Sequence, residues 1–208
     1  MKPGSGHFLI YTMAPSKKNT GKEKWLETGY MHFAESGPEN LSINRLSKEL
    51  GSSRASFYHY FGDMDVFIDE LLAMHWKIVL EFNRRGKTEC KQLFPDLYNL
   101  LSEHTVPLKF NIQLFRHRNT PAYNYLFIKT YESSAKEFIL RLFAKEFNLV
   151  QPESEMLKLW TTVGETWYSR LTMEDLSAQT LQRHAEEIMD SVVRFARSHL
   201  YSQFHLQG

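Results

Sequence analysis

Arg54, Ala55, Ser56, Tyr58 and His59 place a forked cation, a bare methyl, a hydroxyl and two flat rings within one short stretch. An ordinary surface helix shows lysine and glutamate to water. This set instead suits nucleic acid: a bidentate guanidinium, hydroxyls and a flat ring are the chemistry that meets base edges and phosphates. Hydroxyls reach the sugar–phosphate backbone. Phe57 and Phe61, four apart, would occupy the opposite side of the same helix and face a core. The candidates for DNA contact are Ser42, Ser53, Arg54, Ala55, Ser56, Tyr58, His59 and Tyr60, with Lys24 upstream.

Two short helices and a tight turn must hold these groups. In Ile43 to Phe61, INRLSKELGSSRASFYHYF, Leu46 and Leu50 share one helical face, and Ser47 between them is small enough for a second helix to pass. Gly51 can take the left-handed conformation that ends the first helix. Ser52 or Ser53 then offers an oxygen to cap the second. Ser42 can cap the first helix and present its hydroxyl to a DNA backbone. The spacing alone is equally that of a plain helical hairpin.

The order of residues narrows this choice. From about Lys22 to Leu72 the chain resembles the N-terminal domain of TetR-family transcriptional regulators. The first helix, KEKWLETGYMHFAESG, carries Leu26, Phe33 and Gly37 at that family's core and helix-ending positions. Gly51 and Ser53 match its turn, and Phe57, Tyr58, Tyr60 and Phe61 match its aromatic run. Two positions depart from the pattern. Ser52 stands where a valine usually plugs the hairpin, and Met64 stands where a lysine usually contacts phosphate. Losing that one contact would make the salt dependence of binding shallower by about one unit.

The whole chain limits the alternatives. An apolar fraction of 42% and a charged fraction of 24% over 208 residues describe a folded globular protein, not a disordered one. The net charge of +1 argues against a protein that coats polyanions indiscriminately, but leaves room for a local reader. Lys17, Lys18, Lys22 and Lys24 cluster around the first helix, either as a solvated helix start or as phosphate contacts. The single cysteine, Cys90, excludes an internal disulfide framework and suits a cytoplasmic location. No run of 18 apolar residues offers a membrane span. Residues 1–18 read as a flexible arm, and MAPSKKNTGKEKW from Met13 would itself make a natural start.

Every later segment has helical periodicity, so the expected fold is all-α: a helix-turn-helix head over residues 19–64 and a larger helical body over 65–208. A helix is expected from Asp65 to Arg85, ended by Gly86, and should join the two. Others are expected from Cys90 to His104, from Pro107, from Pro121 to about Phe147, from Pro152 to Leu171 and from about Ala178 to Leu200. The resemblance implies a homodimer on a palindromic operator, because two recognition helices about 34–36 Å apart need a rigid pair to hold them. Trp160, Val163, Gly164, Trp167, Leu181, Ile188, Val192 and Phe195 are the candidates for that interface, with burial inside one chain as the alternative. It also implies a small-molecule effector. Phe82, Leu97, His104, Phe110, Tyr125, Trp160 and Tyr168 are the candidates for its pocket, fitting a mostly apolar ligand oriented by one or two hydrogen bonds.

Rival functions have less to stand on. The nine histidines show no paired spacing for a metal, and neither a phosphate loop nor a nucleophile motif occurs. No cofactor is expected and catalysis is not. The basic turn FRHRN around His117 could hold an anion or simply face water. A helical interaction module without DNA binding is the remaining alternative.

Overall fold

The computed structural model describes residues 21–204, with side chains to Val192. The expectations for residues 1–18, including Lys17 and Lys18, and for the Phe195 side chain lie outside the described residues.

The described residues contain helices and no strand. Three short helices come first: α1 (Gly21–Ser36), α2 (Ile43–Leu50) and α3 (Arg54–Phe61). The long α4 (Met64–Glu89) follows. The body continues with α5 (Tyr98–Glu103), α6 (Thr105–Arg116), α7 (Pro121–Ser134), α8 (Leu140–Phe147), α9 (Glu153–Arg170) and α10 (Ala178–Phe204). A wide helical turn, Ala135–Ile139, carries α7 into α8 without a break.

The head closes around rings. Trp25, Phe33, Phe57, Phe61 and Phe67 are buried, and Phe57 meets Trp25 and Phe67 edge-on at 5.3 and 5.2 Å between centroids. Such pairs add about 0.5–1.5 kcal/mol each to the burial of their area. Phe67 and Leu71 belong to α4, so the first half of that helix is part of the head. The expected boundary at residue 64 therefore cuts through a single packed unit.

Head and body also meet along a second seam. Phe110 of α6 stacks against Phe33 and Tyr30 of α1 (4.1 and 4.5 Å) and against His75 of α4 (4.4 Å). The Gln113 amide donates to the Ala34 carbonyl, and Lys109 pairs with Glu35 at 2.8 Å. The α4 helix is thus not the sole joint between the two parts.

Two expected helix boundaries are corrected. Gly86 does not end α4; it lies buried inside it, and the Phe138 ring occupies the space a Cβ would need. The helix runs one turn further and stops at Cys90. The expected helix from Cys90 becomes a looser turn, Leu93–Leu97, in which Phe94 is extended (φ −110°, ψ 129°), so the α-helical part begins at Tyr98. Pro95 lies within that turn, where a proline's missing N–H and fixed φ work against a regular helix.

Candidate DNA-binding surface and effector cavity

The turn between α2 and α3 is closed by backbone geometry. Gly51 adopts φ 60°, ψ 27°, and the Ser52 N–H reaches the Ser47 carbonyl at 3.0 Å. The Ser47 hydroxyl donates back to the Ser52 carbonyl at 2.5 Å. Ser47 thereby stitches the hairpin from the α2 side, next to the half-buried Ser52. Ser53 caps α3, accepting from the Ser56 N–H at 3.2 Å, while the Ser56 hydroxyl donates to the Ser53 carbonyl at 2.6 Å. Asp63 caps α4 in the same way through the Val66 N–H, 2.9 Å. Each such cap is worth about 1 kcal/mol.

This local scaffold leaves Arg54, Ala55, Tyr58 and His59 exposed on α3, Tyr58 to 54%. The fork of Arg54 spends one N–H on the Asn44 side-chain oxygen at 3.3 Å, which ties it to α2. Ser42 heads α2 with its hydroxyl exposed and making no cap bond. Ser53 is exposed and Ser56 half-buried, and the bonds just described commit both largely to shaping α3. Tyr60 is half-buried, its hydroxyl against the start of α1 at Gly21. Lys24 is exposed on α1, whereas Lys22 is tied down by Glu70 at 2.7 Å and lies over the Phe61 ring. Met64, in place of the expected lysine, packs against the head's core. Arg45 and Lys48 are also exposed on α2 and were not among the expected residues. They sit opposite Leu46 and Leu50, so the helical period alone would have found them.

Inside the body lies a cavity of about 90 Å³. It is bounded by Ile78 and Phe82 of α4, by α5 and α6, and by Thr130, Tyr131 and Ser134 of α7. Trp160, Val163, Gly164, Trp167 and Tyr168 of α9 complete most of the wall. Of the expected pocket residues, Phe82, Leu97, His104, Trp160 and Tyr168 come together here. Phe110 and Tyr125 do not. Phe110 is on the neighbouring face of α6, turned to α1, while Pro107, Leu108 and Asn111 face the cavity. Tyr125 is 67% exposed on the outside of α7, with Lys129 over its ring. His104 donates from Nδ1 to the Leu100 carbonyl (2.7 Å), and burial keeps its pKa below the ordinary range.

A buried chain of hydrogen bonds runs from this wall to the head. Asn111 lines the cavity, and its amide oxygen can only accept. His75 therefore donates to it from Nε2 (3.1 Å), and its bare Nδ1 accepts the Tyr30 hydroxyl (2.7 Å). The Thr130 hydroxyl lies 3.2 Å from the same Asn111 oxygen, with the Phe127 carbonyl as its nearer acceptor at 2.9 Å. Burial holds His75 neutral, its pKa lowered to about 4. One tautomer satisfies every bond from the cavity wall to α1.

The expected dimer residues are mostly occupied within the chain. Trp160, Val163, Gly164, Trp167, Leu181 and Ile188 are buried, and of the expected set with described side chains only Val192 is exposed, at 37%. The close approach expected at Gly164 comes from Tyr131 of α7, whose hydroxyl sits where a Cβ would be and donates to the Trp160 carbonyl. The Trp167 indole donates to the Leu181 carbonyl at 2.9 Å.

The basic turn around His117 is likewise spent on the fold. His117 pairs with Glu39 at 2.6 Å, Arg116 donates to the Leu171 carbonyl, and Arg118 lies over the Phe115 ring. The Cys90 thiol is buried, and that burial, with Asp96 and Glu89 nearby, pushes it up to about 11. Among the described residues no group of three metal-ligating side chains occurs, and no helix is long and apolar enough to cross a membrane.

The residues expected to meet DNA, Lys24 on α1 apart, thus lie on a helix-turn-helix in a three-helix head that is joined to a helical body with a cavity. Residues 26–71 match the family model described as bacterial regulatory proteins, tetR family. The head is thus that family's DNA-binding domain, and the chain is a DNA-binding transcriptional regulator. No curated protein sequence matches the chain. Solved structures match its fold along most of its length. One, from Saccharomonospora viridis, is described as a transcriptional regulator in complex with choline (TM-score 0.61, 15% identity, covering 81% of this chain and 95% of that one). A transcriptional regulator from Aquifex aeolicus, described as of the TerR/AcrR family, gives 0.53 at 17% identity, covering 84% and 98%. The ketosteroid transcriptional regulator KstR2 of Mycobacterium tuberculosis gives 0.54 at 15% identity, covering 84% and 96%.

Proposed function

We propose that the chain acts as a homodimeric, ligand-responsive repressor in which α3 enters the major groove of a palindromic operator. The observation that carries this reading is the exposed row Arg54, Ala55, Tyr58 and His59 on a helix whose other side is sealed by Phe57 and Phe61. Arg54 takes a base edge. Tyr58 takes a phosphate or a thymine methyl, and His59 lines the groove, while Tyr60 keeps its hydroxyl against the start of α1. Ser42, Lys24, Arg45 and Lys48 face phosphates on either side, while Ser53 and Ser56 hold α3 in shape and offer hydroxyls at its tip. An effector occupies the body cavity and shifts the head between two arrangements through α4 and α6.

Gel retardation with DNA from upstream of the chain's own gene tests the reading. Arg54→Ala should weaken binding to the preferred site by about 1–3 kcal/mol and relax one base position. A uniform loss on every sequence would make Arg54 a phosphate contact. Absence of retardation on any fragment at low salt would favour the helical interaction module instead.

A further inference from the structure

Asn44, the second residue of α2, and Arg54, the first of α3, stand ten apart in the chain and meet across the turn at Gly51. The bond between them has one possible sense. A guanidinium can only donate, so the Asn44 side chain gives its oxygen to Arg54 Nη1 at 3.3 Å and keeps its amide hydrogens. Both residues are exposed, and among the described residues Arg54 has no ion pair and the Asn44 amide no acceptor. The one acceptor the two side chains own is therefore used inside the pair. What remains for a partner is hydrogen alone, from Arg54 Nε and Nη2 and from the Asn44 amide. Tyr58 and His59 on the same helix are less selective, since a hydroxyl and a neutral imidazole can each give and accept.

We propose that Asn44 fixes Arg54 for a guanine, so that each half of the operator carries a G·C pair at the position Arg54 reads. The proposal rests on the reading of Arg54 as a base contact. In the major groove only guanine sets two acceptors, O6 and N7, side by side. Adenine has an amino group beside its N7, cytosine presents an amino group, and thymine sets a methyl beside its one acceptor. An asparagine acting by itself would take adenine, giving a hydrogen to N7 and accepting one from N6. Asn44 cannot accept while its oxygen holds Arg54. A phosphate would take an untethered cation equally well, and the N-terminal residues of a recognition helix are those that reach base edges. Asn44 is thus a positioning residue. Held in advance, the Arg54 fork has less rotamer freedom to lose when it meets the base.

Selection of duplexes from a random pool by the full chain, then gel retardation of the selected site with one base altered at a time, tests this. Replacing the guanine by adenine should weaken binding by about tenfold or more, within the range of one bidentate contact. Replacing it by 7-deazaguanine, which lacks N7 and keeps O6, should also weaken binding. Both losses should vanish in Arg54→Ala and in Arg54→Lys, which keeps the charge without the fork. Asn44→Ala should lower the guanine-over-adenine ratio by about two- to tenfold, while the midpoint of urea unfolding stays where it was. A merely structural Asn44 would move the midpoint and not the ratio. An Arg54-dependent base other than guanine, or a ratio unmoved by Asn44→Ala, overturns the proposal and leaves Arg54 a base contact. An equal loss on every duplex in Arg54→Ala, or no duplex retained at low salt, overturns that reading as well. The 7-deazaguanine scan uses the unaltered chain, so a site in which no guanine responds to it overturns the proposal even where a variant does not fold.

Discussion

At the scale of single residues, His75 has the most to say about stability. Its ring is fully buried and neutral, with a pKa lowered to about 4, whereas an unfolded histidine takes up its proton at about 6.5. Between those values the unfolded chain binds the extra proton, so stability is intact above about pH 6.5 and falls as the pH drops toward 4. The full loss is roughly 3 kcal/mol. His75→Gln should flatten that acid limb whatever it does to stability at neutral pH. Urea unfolding followed across the window checks this, and a slope unchanged by the substitution would assign the limb to other groups. Most of the outward residues of α3 were legible in the sequence, because hydrogen-bonding side chains on one face of a short helix advertise themselves. His75 was legible only as an apolar-face position. Its partners Tyr30 and Asn111 lie 45 and 36 residues away along the chain, and no local pattern announces such a triad.

At the scale of elements, periodicity found the helices, and close packing decided where they end. Gly86 reads as a terminator, since glycine after an apolar face usually stops a helix. It is kept inside α4 because the Phe138 ring lies against its backbone. The same surprise recurs at Gly164, where the approaching group is Tyr131 and not a second copy. Sequence alone cannot distinguish these roles, because both need the same missing side chain. Gly86→Ala sets two effects against each other. Alanine gains about 1 kcal/mol of helix propensity, but its methyl must displace a ring that is only 2% exposed, which costs about 1–3 kcal/mol. The clash should win, lowering stability by up to about 2 kcal/mol in denaturant unfolding. A gain in stability would show that Phe138 retreats freely.

At the scale of the whole molecule, the expected interface residues with described side chains, Val192 apart, are the chain's own core, so on the proposed reading pairing uses what they leave outside. The outer side of α9 shows Thr162, Glu165, Thr166 and Ser169, and that of α10 shows Glu186, Glu187 and Val192. The hydroxyls of Thr162, Thr166 and Ser169 already donate to carbonyls within their own helix, which lets them be covered without an unmet hydrogen bond. Thr162→Arg combined with Thr166→Arg should therefore leave the fold intact, since exposed substitutions usually stay within about 0.5 kcal/mol. The pair should give a monomer in sedimentation and abolish retardation of operator DNA. A variant that still sediments as a dimer would place the interface on another face.

The stacking of Phe110 between α1 and α6 has a mechanical consequence. A helix that forms the floor of the cavity through Pro107, Leu108 and Asn111 also carries, on its next face, the plate on which the head rests. On the proposed reading, a guest that rolled α6 would tilt that plate and carry α1 with it, so the head would be geared to the cavity through α6 as well as levered by α4.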